Sequence, residues 1–391
     1  MQLFPIGKVY DFMSRRHLFM GLSLLMVIAS IVVLIQPGPQ LGTDFVGGTE
    51  VEVAFKKSVS PDQVRAAVMQ SDFSRPDVIR VQDDTNPHRF LIRVQEVTSI
   101  PESQKQAIEK LLCLGEEIPD GCEHHATEIK FSPGGEKISA RYEGAPDLQW
   151  IAGQLAKVEG VHLRQGESNP NLQDARDHRV EIHLMSKGDQ LMDALRSGLT
   201  DAVVPEQPLR TEWIGPKAGA QLRDAALKSI LIALVFIMAY VAFRFDLRFA
   251  PGGVLALVHD SVVTLGVLTI MQRELNLTTV AAILTIIGYS VNDTVVVYDR
   301  VRENLGKLRG SSFSQLINVS ISEMLSRTVL TSGTTIMVLV CFFIWGTGTL
   351  RDFALTLIIG LVLGTYSSIY VALPLTDFLD RKFFASAKAR A

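Results

Sequence analysis

The sequence predicts a membrane protein: a bundle of six transmembrane helices carrying an enlarged, extracytoplasmic α+β domain of ferredoxin-like type after the first helix. Three observations carry this prediction. Hydrophobic residues are 47% of the 391 and charged residues 20%, too apolar for an ordinary soluble protein and too charged for one wholly immersed in lipid. The mean hydropathy of +0.23 averages over a partition: residues 18–35 and about 228–376 are strongly apolar, and about 37–220 resemble a water-soluble domain. Within that soluble stretch, strand-like alternation and helical periodicity succeed each other.

A spanning helix needs roughly 20 mostly apolar residues. Six runs qualify: 18–36, about 225–243, 252–271, 277–297, 328–346 and 352–376. The chain therefore divides into an N-terminus with the first span (1–36), an outside domain (37–224), five further spans (225–376) and a basic tail (377–391). Lysine and arginine in short flanks set orientation. Fourteen flank the spans on the side of the termini, from Lys8, Arg15 and Arg16 to Lys388 and Arg390, against Arg273 and Arg351 on the other. Both termini are thus expected in the cytoplasm, with the large domain outside. The segment Ser14-Arg15-Arg16-His17-Leu18-Phe19 resembles a twin-arginine export signal. The apolar run after it is long, however, and Pro37-Gly38-Pro39 offers no small-residue cleavage site, so it reads as a retained anchor.

In the outside domain, "TEVEVAF" from Thr49 alternates as a strand, and Ser60-Pro61-Asp62 opens a helix reaching about Ser71. "DVIRVQ" and "RFLIRVQ" read as strands and 102–112 as a helix. "EKISARYE", a helix at 147–158, "GVHLRQ", "HRVEIHLM", a helix at 188–202 and "LRTEWIG" follow. This alternation suits split β-α-β modules. The domain is nearly twice the length of one module, so a second, inserted α/β module is expected within 113–178.

Cys113 and Cys122 fall in this domain, and Cys341 sits alone in a span. A pair in an exported Gly/Pro-containing loop favours a disulfide. Free thiols and a metal site with Glu123, His124 and His125 are the alternatives, the last lacking the second Cys or His pair of structural zinc sites. No G-x-S-x-G, H-E-x-x-H or P-loop motif is present, and Gly47-Gly48 and Gly252-Gly253 read as turn signals. No enzymatic activity, cofactor or metal is expected. A net charge of −3 gives no case for nucleic acid.

An ionisable residue inside a span is costly unless paired or hydrated, which makes it a functional candidate. Asp293 lies near the cytoplasmic end of the fourth span. Thr285, Tyr289 and Asp293 repeat at i, i+4, i+8, with Gly288 and Asn292 widening the stripe, so this face is expected to look inward. Arg327 opens the fifth span on the same side, and Thr331, Thr334 and Thr335 continue its face. The third span adds His259 and Asp260, with Thr264 one turn on. One reading makes Asp293–Arg327 a structural ion pair, with Arg327 snorkelling to the headgroups. The other is a protonation switch: burial favours the neutral carboxyl and a nearby arginine the charged one, so a change in separation would bind or release a proton. His259 and Asp260 divide in the same way, between packing and a relay step.

"GYSVNDTVVVYDRVREN" resembles the fourth-span signature of the SecF family, the smaller half of the bacterial SecDF export factor. "GTDFVGGTEVEVAF", with Asp44, Gly47 and Gly48, is similar to the family's entry motif, and "FAPGGVLALVHDSVVTLGV" to its third-span motif. "EWIGPKAG" and "SRTVLTSGTTIMVL" match in the expected places. The resemblance implies an RND-type bundle, half of a pseudo-symmetric pair completed by SecD. It implies assistance to the SecYEG channel and SecA motor, with YajC and YidC as further partners. It also implies handling of unfolded polypeptides at the inner membrane, driven by protons. Asp293 matches the family's N-D aspartate and Arg327 its S-R-T arginine, both held to act in proton conduction. Each proton would contribute about 2.3 kcal/mol per 100 mV of potential. The outside domain of a typical member is about half this size, so residues 113–178 have no counterpart. Binding substrate chains, bracing the partner and decorating the fold are their open roles. An RND-type exporter half for lipids or small molecules is the alternative, disfavoured by the single-repeat length and the S-V-N-D-T-V-V-V signature; a purely structural scaffold is the third.

Overall fold

The computed structural model describes residues 4–384, apart from 6–7, 72, 74–75, 82–87, 99, 115–123, 133, 165–167, 175, 246–248, 309 and 347 and the side chains of 383–384. The chain forms two compact units, Met1–Gly42 with Leu222–Ala391, and Thr43–Gln221.

The first unit begins with α1 (Arg16–Ile35) and the short strand β1 (Gln40–Leu41). The second unit follows with α2 (Thr43–Val46), β2 (Gly48–Ala54), α3 (Pro61–Met69), β3 (Asp77–Val81) and β4 (Arg89–Val94). Next come α4 (Glu102–Leu111), β5 (Ala126–Phe131), β6 (Lys137–Tyr142), α5 (Leu148–Leu155), β7 (Asn171–Asp174) and β8 (Arg179–His183). Helix α6 (Lys187–Leu199) and strand β9 (Arg210–Ile214) complete it.

Two four-stranded antiparallel sheets result. The order β3-β4-β2-β9, with α3 and α6 supplying the two helices between strands, is the ferredoxin-like arrangement. Its period-2 strand β2 turns Val51 and Val53 into the core with Val64, Val68, Leu191 and Leu195. The residues that alternate with them, Glu50 and Glu52, pair with Arg93 and Arg89 of β4 at 2.6 and 2.5 Å. Capping boxes at Ser60 and Ser186 start the two helices, as Ser-x-x-Gln and Ser-x-x-Asp predict. Asp44 stands in the first turn of α2. Gly47 follows with φ +86°, and a Cβ there would press within 2.9 Å of Ile214 O and Pro216, so the pair is a close crossing rather than a loose turn.

The second sheet, ordered β5-β6-β8-β7, has its own core of Ile108, Leu112, Ile138, Ile151, Leu155 and Ile182. That core reaches from Ile100 to Leu184, wider than the expected 113–178, because α4 and β8 turn their apolar faces into it. "GVHLRQ" is not a strand in the described residues: Leu163 makes a single bridge to Leu184, just beyond the end of β8. β5 and β7 were missed because "ATEIKF" and "NLQD" are mostly polar strands at the two sheet edges. Cys113 is buried and disulfide-bonded. Cys122 and Glu123, the other residues of the cysteine expectation, lie outside the described residues. His124 and His125 line a cavity of about 300 Å³ with Tyr142, Glu143 and Gly144. Among the described residues no three metal-ligating side chains gather.

Helix α7 (Pro216–Arg244) starts before the second unit ends at Gln221, and the first unit continues from Leu222 through it to α8 (Ala250–Ile270), β10 (Glu274–Leu275), α9 (Leu277–Lys307), α10 (Phe313–Trp345), α11 (Gly348–Ser367) and α12 (Leu373–Leu379). A π-helical turn, Ser368–Ala372, joins the last two. Among the described residues six helices are long and apolar enough to span a membrane, and each overlaps one of the runs expected from sequence, three of which end one residue past their helix. α8 lies at the centre, packed by α1, α9 and α11. α7 presents Leu231, Phe236 and Phe243 outward, as lipid requires. β1 pairs in parallel with β10, tying the segment after α1 to the α8–α9 connection.

At one end of the bundle, Arg16 Nη1 reaches Asp377 Oδ2 at 2.7 Å, and Arg381 Nε reaches Asp377 Oδ1 at 3.1 Å. Asn318 Oδ1 accepts from the backbone N–H groups of Phe12 and Met13, each at 3.0 Å. The twin-arginine segment is thus held into the bundle by a buried carboxylate.

Candidate functional site

Besides Asp377, which pairs with Arg16 and Arg381, two carboxylates are buried in the bundle among the described residues. Asp260 on α8 is fully buried and Asp293 on α9 is 3% exposed. Asp260 is held from three sides: by His259 Nδ1 at 3.0 Å from Oδ1, Ser290 Oγ at 2.7 Å and Ser367 Oγ at 2.8 Å, the hydroxyls both donating to Oδ2. Asp293 is held by one long bond, Ser332 Oγ donating to Oδ2 at 3.3 Å, and Thr365 Oγ1 donates to Ser332 Oγ at 2.8 Å. Four helices, α8 to α11, therefore contribute to one buried polar region. His259 Nε2, Thr264 Oγ1 and Thr294 Oγ1 are buried there without a hydrogen-bond partner among the described residues. Lone buried polar atoms are uncommon in folded proteins, which makes this region a functional candidate.

The small-residue spacing in α11 explains the close approach. A Cβ on Gly360 would overlap the Ile286 side chain, and one on Gly364 would lie 3.1 Å from Ser290 Cβ and 3.6 Å from Asp260 Oδ2. The G-x-x-x-G face is therefore a contact inside this chain.

The residues expected at the site separate. Asp293, His259, Asp260 and Thr264 point inward. Tyr289 is half-buried, its hydroxyl 3.3 Å from Thr335 Oγ1. Thr285, Gly288 and Asn292 are exposed, so the inward stripe expected of them is corrected. Four residues on a helix advance about 40° past a full turn, and two such steps carry Thr285 well away from Asp293. The buried face of α9 is instead Ile283, Ile286, Ser290, Asp293, Thr294 and Val297. Arg327 is also exposed and forms no ion pair among the described residues, where the bond to Asp293 comes from Ser332, so the structural pair with Asp293 is not formed. Ser332, about 140° further round α10, takes that place. Sequence reasoning missed Ser290, Ser332, Thr365 and Ser367. Their signal was a hydroxyl three residues before Asp293 and a G-T-Y-S-S run in an apolar span; neither is specific without the helix rotations.

The family model described as protein export membrane protein SecD/SecF, C-terminal, matches residues 197–382, and that of the SecD/SecF GG motif matches residues 32–59, which include Gly47 and Gly48. The protein translocase subunit SecF of Koribacter versatilis is 33% identical over 96% of this chain and 92% of the relative. That of Escherichia coli is 31% identical over 96% of this chain and 89% of the relative. The SecF of Vibrio alginolyticus is 45% identical over half of this chain. A crystal structure of SecDF from Thermus thermophilus, a translocon-associated membrane protein, shares the fold with a TM-score of 0.61 at 24% identity, covering all of this chain and 40% of that one. Its super-membrane-facing form matches with a TM-score of 0.53. The chain thus spans about two fifths of the SecDF polypeptide. With two close-to-full-length relatives above 30% identity and the GG and C-terminal matches in order, the chain belongs to the SecF family of protein translocase subunits.

Proposed function

We propose that this Sec-export subunit couples the proton-motive force to polypeptide movement through Asp293, with Arg327 as the charge that modulates it. The observation that carries this reading is the poor fixation of Asp293: a buried carboxylate with one long hydrogen bond, near an arginine that is not bonded to it. A group held so loosely can exchange a proton with little rearrangement. Asp260 and His259 extend the route on α8.

The partner surface follows from polarity. Asn292 on α9 and Arg327 on α10 are exposed within spans where lipid contact would leave them unsatisfied, whereas the exposed Thr331 and Thr334 beside Arg327 donate to carbonyls of their own helix. Asn292 and Arg327 fit a second membrane subunit, and SecD is that partner in this reading, with SecYEG, SecA, YajC and YidC as further associates. The termini lie in the cytoplasm of an inner-membrane protein and the Thr43–Gln221 unit in the periplasm, in keeping with the arginine and lysine bias. The second sheet of that unit is an added surface for emerging chains.

The test is translocation into inverted membrane vesicles carrying the complex with Asp293→Asn or Arg327→Ala. Loss of stimulation by the proton gradient in both is the expected result. Full sensitivity in both would overturn the assignment.

A further inference from the structure

Hydroxyls on one short stretch of α11 reach both carboxylates. Thr365 Oγ1 lies 2.8 Å from Ser332 Oγ, which donates to Asp293, and Ser367 Oγ lies 2.8 Å from Asp260 Oδ2. Each of these hydroxyls also has an acceptor in its own helix. Thr365 Oγ1 is 2.9 Å from Leu361 O, and Ser367 Oγ is 3.2 Å from Gly364 O. A hydroxyl carries one proton, so it donates either across to the carboxylate side or back along α11.

An ionised carboxylate only accepts, which draws the hydroxyl proton across the helix interface. A protonated carboxyl brings its own O–H, which the hydroxyl oxygen accepts, freeing the hydroxyl proton for its own helix carbonyl. Proton uptake thus changes only one O–H bond, yet reverses the direction of the bonds that clasp α11 to α8 and, through Ser332, to α9 and α10. Two further features make α11 responsive. Gly360 and Gly364 leave a smooth contact face, and directly after Ser367 the helix enters the π-helical turn Ser368–Ala372. π-turns inside helices recur at functional positions and carry a register offset that a shift can resolve.

We propose that Thr365 and Ser367 are positioning residues through which the last span senses the protonation of Asp293 and Asp260 and shifts at the Ser368–Ala372 turn. This rests on the reading of Asp293 as a proton-coupling residue. Among the described residues the titratable groups around the two carboxylates are His259 on α8, bonded to Asp260, and the Tyr366 phenol on α11, which lies beside His259 and bonds the Ser23 hydroxyl of α1; the charged group is Arg327 on α10, exposed and not bonded to Asp293.

The experiment uses the complete membrane complex in inverted vesicles. It compares the native chain, Thr365→Val with Ser367→Ala, Thr365→Ser and Asp293→Asn. Gradient-dependent export of a signal-bearing precursor is one readout. Hydrogen exchange of the 364–372 amides as a function of pH is the other. The double variant is expected to lose about tenfold in gradient stimulation, the scale of a lost bond to a charged group, and to lose the pH dependence of exchange. Thr365→Ser keeps both. If the double variant retains both while Asp293→Asn loses stimulation, the sensing role of α11 is overturned and the proton assignment stands. If Thr365→Ser fails as severely as the double variant, the hydroxyl account is overturned. If Asp293→Asn keeps full gradient sensitivity, the underlying reading fails, and this one with it.

Discussion

The two units of the chain treat buried polarity in opposite ways. In the soluble unit both cores are apolar, and the charges of β2 are paired on the other face of the sheet, Glu50 with Arg93 and Glu52 with Arg89. In the membrane unit the apolar side chains face outward as well as inward, and the deepest positions include Asp260, Thr264, Ser367 and Asp293. Water drives the first pattern, because burying apolar surface is favourable and burying charge is not. Lipid removes the first half of that rule: apolar residues lose nothing by facing out, so the protected interior is where polar groups can collect. The lesson is that a polar residue on a soluble sheet face is read as a surface pair, whereas one inside the bundle needs a role.

The same contrast operates between the two carboxylates. Asp260 has three partners, so its place is structural as well as electrostatic, while Asp293 has one. The largest expected effect is therefore Asp260→Ala, which strands His259, Ser290 and Ser367; thermal unfolding of the detergent-solubilised complex should reveal a loss of about 3 kcal/mol. Asp293→Ala should cost about 1 kcal/mol in the same assay. Equal losses would erase the distinction. Next is Gly360→Val, which forces a side chain into Ile286 and should cost about 2 kcal/mol while disturbing the α9–α11 contact. A tolerant result would mean that the helices are not locked at this face.

In the sheet-bearing unit, Glu50→Gln should cost only about 1 kcal/mol, because the glutamine carbonyl oxygen can still accept from Arg93 and only the charge attraction is lost. Chemical denaturation of the Thr43–Gln221 unit within the whole chain is the measurement, and a loss as large as that of Asp260→Ala would break the comparison. The smallest effect belongs to Glu136, whose carboxyl is pushed above the usual range by burial and by the nearby Asp189 charge. A raised folded-state value means its contribution to stability is present at acid pH and is lost as pH rises through that value. Glu136→Gln should thus stabilise the unit at neutral pH by less than about 0.5 kcal/mol and flatten its pH dependence, which thermal melts across the acid range would detect.

Much of the fold was legible in local pattern. Length and hydropathy suffice for the six spans because a helix in lipid has few alternatives. Period-2 alternation suffices for β2 and β4, whose faces are chemically distinct, and capping boxes mark α3 and α6. The edge strands β5 and β7 escaped because strands with little burial lack that alternation. The width of the second core escaped because α4 and β8 choose between two cores only in three dimensions.

By itself the sequence determined the partition into spans and soluble modules, the likeness to the SecF family, and the presence of carboxylates where lipid would exclude them. Composition and periodicity are local properties, and these conclusions need nothing more. Only the tertiary structure decided that Asp293 faces Ser332 and not Arg327, that Thr285 and Asn292 look outward, and that Thr365 and Ser367 on the last span reach carboxylates rooted on two other helices. Those outcomes depend on the rotation of each helix about its axis. The packing of small residues such as Gly360 and Gly364 against distant partners sets that rotation, and no window of sequence contains both sides of such a contact.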